Sequence, residues 1–194
     1  MIQDHDSDDG GDQRGSAEGE PPEPTFAPGS ESSSDIGAMP FISVDQEPRV
    51  DVGGDVLDWL VARLVEAIPV ARSPEGTSRV GRLSVRILGD DSMSEAHQRW
   101  CNVDGPTDVL TFHSVEPDGL HIDLMICADE ARRRAAELGH DQRRELLLYA
   151  VHGLLHCLGH DDHDDKAYAL MHDEEDRVLR QIGVGPVFRP EEAS

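Results

Sequence analysis

Between Arg143 and His163 the chain reads RRELLLYAVHGLLHCLGHDDH, and two of its polar residues have the type and spacing to do chemistry. His152 and His156 are four apart, so on a helix both imidazoles fall on one face, about one turn from each other. Such a face can chelate a divalent metal of zinc type once the chain supplies one or two more ligands. His160, Asp161, Asp162 and His163 follow at once and are within reach. Five of the chain's ten histidines fall between His152 and His172. A histidine pair at this spacing on a solvated helix needs no metal. Here Leu146, Leu147, Leu148, Tyr149, Val151, Leu154, Leu155 and Leu158 surround the pair, and an uncompensated imidazole in so apolar a setting is costly. A metal site is expected on that ground, structural or catalytic.

A helix apolar on nearly every side belongs in the middle of a domain, and Gly159 supplies the residue type that ends it in a left-handed turn. The elements that must hold it can be read upstream and downstream. FISV and RVDV, within residues 40–52, are short β-type pieces. Residues 55–68 place Val56, Leu57, Leu60, Leu64 and Val65 on one helical stripe. PEGTSRVG reads as a loop, and RLSVRIL (82–88) alternates as a half-buried strand. Ser92 is expected to cap a short helix running to Trp100. A Gly-Pro turn then feeds a strand over 109–112, and 120–126 is another. Residues 128–138 form a helix stopped at Gly139, and 165–182 an amphipathic helix ending at Gly183. Strands come mostly early and helices late. The expectation is α+β, a small mixed sheet packed on several helices around a central buried metal-binding helix.

The chain has 194 residues, which suits one domain plus a tail. Residues 1–40, rich in Asp, Glu, Gly, Ser and Pro, are expected to be a disordered acidic tail; 41–185 form the domain and 186–194 a C-terminal tail. Net charge is −23, and Lys166 is the only lysine among 17 basic residues. Such acidity repels nucleic acid at long range and argues against a general RNA coat or a membrane-surface protein. The arginines at 79, 82 and 86, at 132–134 and at 143–144 are either solvated faces or the lining of a groove. Cys101, Cys127 and Cys157 are scattered, with no CxxC pair, so neither a disulfide framework nor a cysteine zinc site is indicated. No stretch approaches ~20 apolar residues, and MIQDHDSDDGG has no basic start or apolar run of a signal peptide. A reducing cytoplasm is the expected compartment.

H-x-x-x-H on a helix is also the core of zinc metalloproteases, which place a general-base Glu directly after the first His. Here that position is Gly153, which can neither accept a proton nor orient water. A different family fits better. HGLLHCLGHDD, residues 152–162, resembles the HGxLHLxGYDH signature of the YbeY family of bacterial rRNA maturation factors. PTDVLTF, 106–112, is similar to that family's PTDVLSF, and IDLMICADEARRRAAELGH, 122–140, to its GDIVICxExAxxxAxxxGH segment. Met171 and Glu175 keep the spacing of the M-x-x-x-E in the family's last helix. The resemblance covers roughly residues 42–184.

The resemblance implies a compact fold with one zinc per chain and a metal-dependent, single-strand-specific endoribonuclease acting in 16S rRNA 3′-end maturation and ribosome quality control. The implied partners are rRNA, the small ribosomal subunit and ribosomal proteins. The implied metal ligands are His152, His156 and Asp162. The family carries His where this chain has Asp162, and His163 one place later is the alternative third ligand. Thr107 and Arg99 are candidates for contacting RNA. Asp161 and Glu145 are candidates for activating water. Two further departures stand out: Cys101 occupies the position of an arginine suited to holding RNA phosphate, and Ile122 that of a glycine. Two rivals therefore stay open, a zinc hydrolase of another substrate such as a peptide, and a ribosome-associated zinc protein weakened in cleavage.

Overall fold

The computed structural model describes residues 39–187, apart from 75, 77 and 78. The expected acidic tail (1–40) and C-terminal tail (186–194) lie almost wholly outside the described residues. The sheet has four strands, β1 (Phe41–Gln46), β2 (Val80–Leu88), β3 (Val109–Glu116) and β4 (Gly119–Cys127), in the order β1-β2-β4-β3. β1 and β4 both run parallel to β2, and β3 pairs antiparallel with β4. The mixed α+β sheet matches the sequence expectation, though β1 and β2 are joined through α1 (Gly54–Ala67) as a βαβ unit that strand order alone did not suggest.

Two of the expected β-type pieces separate. FISV enters β1, but RVDV leaves the sheet, because Glu47 turns to serve another element. Its carboxylate accepts from Gly89 N at 2.7 Å and Ser92 Oγ at 2.6 Å, at the start of α2 (Asp90–Cys101). Ser92 is therefore inside α2 and does not cap it. The cap position is Gly89, and remote carboxylates from Glu47 and Asp129 take the free N–H groups of Gly89 and Asp90. β3 continues four residues beyond Phe112 and turns through Pro117 and Asp118 into β4.

α3 (Ala128–Leu138), α4 (Gln142–Cys157) and α5 (Asp165–Gln181) follow. α4 is capped by Asp141, whose side chain accepts from Arg143 N, and stops at Leu158 before Gly159 in a positive-φ conformation. It lies against β3, β4, α1, α3 and α5, and eleven of its residues are buried. The main core joins it to Leu60 and Leu64 of α1, Leu83, Val85 and Ile87 of β2, and Val178 and Leu179 of α5. A smaller cluster, Leu88, Met93, Leu110 and Cys127, holds α2 on the sheet with Phe112 packed against it. No helix among the described residues is long and apolar enough to cross a membrane.

Gly153 shows how closely α4 approaches the sheet. A Cβ there would lie 2.9 Å from Leu124 Cδ2 and 3.2 Å from Thr111 Cγ2 and Val109 Cγ2. The position faces β3 and β4 at a distance only glycine allows. A glutamate in its place would be driven into those three side chains.

Candidate metal centre

His152 and His156 project from the same face of α4, and their Nε2 atoms are 3.0 Å apart. Each ring is fixed from behind. His152 Nδ1 donates to Glu175 Oε1 of α5 at 2.6 Å, and His156 Nδ1 donates to the carbonyl of His160 at 3.1 Å. A carbonyl can only accept, so Nδ1 of His156 carries its hydrogen and Nε2 is left with its lone pair. The carboxylate behind His152 fixes the same tautomer. Two bare nitrogens facing each other at 3.0 Å repel unless a positive charge lies between them. Two nitrogen ligands on one tetrahedral zinc, with bonds of about 2.05 Å, would stand about 3.3 Å apart. The observed separation is close to that.

The third group is Asp162. Its Oδ2 lies 3.9 Å from His152 Nε2 and 3.7 Å from His156 Nε2, and the three ligand atoms fall within 4.8 Å of one another. His163 is not part of this group. Its side chain is 85% exposed, with Nδ1 3.1 Å from Asp161 Oδ1 and 3.4 Å from Asp162 Oδ1. His160, also within reach by sequence, turns its ring away to Arg72 O at 2.7 Å and gives the site only its backbone carbonyl. Two imidazole nitrogens and a carboxylate oxygen, each imidazole held by a second hydrogen bond, fit a divalent cation of zinc type.

Negative charge surrounds the pair. Burial lowers the His152 pKa, but the hydrogen bond and charge of Glu175, with the charges of Asp108 and Asp162, outweigh it and leave His152 above its ordinary value. The site attracts positive charge, whether a proton or a metal. Glu175 is fully buried, and its Oε2 accepts from His172 Nδ1 at 2.5 Å. The Tyr168 ring stands edge-on to His172, 4.2 Å between centroids.

Two cavities meet at His152 and Asp108. One, of about 440 Å³, runs back along α4 and includes Thr107, Glu145, Tyr149 and Glu175 in its walls. The other is a groove of about 640 Å³ beside the edge strand β3, bounded by Trp100, Cys101, Phe112 and His156. Thr107 is thus beside the site, its hydroxyl donating to Asp108 Oδ1 at 3.0 Å. Arg99 lines neither cavity, and its guanidinium sits 5.3 Å from the centroid of the Trp100 ring. Glu145 is two turns before His152, about 10 Å along the helix. It is buried, lies 2.8 Å from His140 Nε2, and has its pKa raised by burial. Asp161 is 60% exposed and faces His163. Asp161 lines the groove with both imidazoles and Glu145 lines the cavity that ends at His152, but neither joins the group that His152 and His156 form with Asp162. Sequence reasoning did not single out Asp108 or His172 for this site, and took Glu175 only as a spacing match. The one available signal was the polar pair His172 and Glu175, three apart on the buried face of a helix.

Residues 50–183 match the family model described as endoribonuclease YbeY. The chain belongs to the YbeY family. An endoribonuclease YbeY of Carboxydothermus hydrogenoformans is 30% identical over 132 residues, 67% of this chain and 91% of its own. Another, of Rhodopirellula baltica, is 32% identical over 155 residues, 78% and 79% of the two chains. The fold is similar to the solution structure of TM1509 from Thermotoga maritima, with a TM-score of 0.52 and 26% identity, covering 73% of this chain and 89% of that one. Within the YbeY family, HGLLHCLGHDD of this chain is the segment that carries the paired imidazoles and Asp162.

Proposed function

We propose that this chain is a zinc-dependent, single-strand-specific endoribonuclease of the cytoplasm, acting in 16S rRNA 3′-end processing and ribosome quality control on the small subunit. The observation that carries the reading is the pair of Nε2 atoms aimed at one point with Asp162 Oδ2 beside them, in a chain of the YbeY family. His152, His156 and Asp162 would hold the metal, which when bound supplies Lewis-acid polarisation of a phosphate oxygen and a lowered water pKa. The chain's own groups do the rest. Glu175 and the His160 carbonyl keep both rings turned inward. Asp108 borders both cavities, and its charge reaches His152, so we assign it the proton-accepting role in place of Glu145 and Asp161. The Thr107 hydroxyl and the Val109 N–H hold one of its oxygens in place.

One observation favours a second reading, a zinc protein that binds RNA without cutting it. Cys101 lines the groove, and the described residues around that groove include neither Arg nor Lys. One experiment separates the two. Purified protein, metal-replete or treated with chelator, is offered 16S rRNA precursor and a casein-type substrate. Metal-dependent cleavage of the RNA alone supports the nuclease. Cleavage of neither substrate by the metal-loaded form supports the binding protein.

A further inference from the structure

Trp100 is 59% exposed at the rim of the groove that reaches His152 and His156. An indole left in water forgoes a large burial, and this one is held firmly where it is. It closes α2, whose last turn is fixed by Asn102 in the left-handed conformation, with Asn102 N donating to Gln98 O. The loop beyond is tied back through His97 Nδ1 to Gly105 O at 2.9 Å. Beneath it lies Phe112 of β3, 5.6 Å between centroids and 71° between planes, itself packed on the cluster of Leu88, Met93, Leu110 and Cys127. An edge contact of this kind anchors the indole without covering it as a parallel stack would. The Arg99 guanidinium lies over the ring, 5.3 Å from its centroid, so a base stacking on that face takes the place of this cation while one on the other face is sandwiched with it.

We propose that Trp100 is a stacking platform for one unpaired nucleobase of the substrate strand, close to the bond that is cut. This rests on the RNA-cleaving reading above and deepens it. Every base has a π-face, so such a platform accepts any sequence but demands a base free of its partner. It also supplies affinity that this groove cannot take from phosphate contacts, having no Arg or Lys among its described lining residues. The part of the affinity that stacking supplies is insensitive to salt, unlike the part that comes from phosphate contacts.

Trp59 and Trp100 are the only tryptophans, so in a Trp59→Phe background the emission reports Trp100. Single-stranded oligoadenylate and oligouridylate are titrated into this protein, with and without zinc, beside a matched duplex. Saturable quenching by both single strands, and not by the duplex, is expected. Trp100→Ala in the otherwise native chain weakens single-strand binding about 5- to 150-fold and raises KM while kcat changes little; Trp100→Phe recovers part of the loss. Quenching without cleavage keeps the platform and removes the nuclease. Cleavage with no quenching, or Trp100→Ala leaving KM within about twofold, removes the platform and keeps the nuclease. Protein that neither binds nor cuts single strands removes both.

Discussion

Glu175 Oε1 accepts a 2.6 Å hydrogen bond from His152 Nδ1, so a carboxylate of α5 decides which nitrogen of an α4 histidine faces the candidate metal. Its second oxygen is taken by His172, and no part of it reaches solvent. Replacing Glu175 by Gln keeps the shape but removes the charge that holds both rings. Partners of this kind typically contribute 10- to 100-fold to metal affinity, so Glu175→Gln should weaken zinc binding by about that factor. Competition against a chromophoric chelator measures it, and circular dichroism checks that the fold is kept. An unchanged zinc affinity would mean that the His152 ring is held by packing alone.

The third ligand can be separated from its neighbour by substitution. Asp162 stands 3.7 to 3.9 Å from both Nε2 atoms, whereas His163 is turned outward. Asp162→Ala should lower zinc content well below one per chain after dialysis against a weak chelator. His163→Ala should leave it near one. The reverse pattern, read by elemental analysis of the purified variants, would show that the loop after Gly159 shifts by one residue when metal binds.

Gly153 links packing to the question of protease chemistry. A methyl group there meets Leu124, Thr111 and Val109 at 2.9 to 3.2 Å, and the latter two are β-branched and stiff. Gly153→Ala should therefore destabilise the domain by about 1–3 kcal/mol, lowering the melting temperature by roughly 2–4 °C per kcal/mol. Gly153→Glu, which would recreate the H-E-x-x-H pattern, should yield unstable protein with no casein-cleaving activity. A stable Glu variant that cuts casein would overturn the packing argument.

The legible parts were those carried by local pattern. The apolar run around His152 and His156 located α4, and the spacing of four set both rings on one face. Asp162 was reachable because the loop after Gly159 is short. Partners supplied from a distance were not legible as such. Glu175 acts on a residue 23 positions earlier, and amid its acidic neighbours only its spacing from His172 marks it out. Asp108 is a single carboxylate before a strand, with no periodicity to betray it. RVDV looked like a strand because alternation says nothing about where Glu47 is needed, and Glu47 is needed at the start of α2.

A second carboxylate controls the other imidazole at longer range, and it sets an acid limit. Glu174 accepts from Arg177 and from Arg72 N, while Arg177 also donates to Val70 O. This clip holds residues 70–72 on α5. Arg72 O in turn receives the His160 ring, and the His160 carbonyl receives His156 Nδ1. Burial alone would raise the Glu174 pKa, but the Arg177 hydrogen bond and charge bring it below the ordinary 4.5. A carboxylate depressed on folding stabilises the protein above its unfolded pKa. That contribution shrinks as pH falls below about 4.5 and is gone beneath the folded value. Glu174→Gln should cost about 1 kcal/mol at pH 7 and progressively less as pH falls below about 4.5, so the melting temperatures of the two proteins should converge on acidification. The variant should also bind zinc more weakly at pH 7, because His160 loses part of its footing. Parallel melting curves at every pH, with zinc affinity unchanged, would show that the clip and the metal centre are independent.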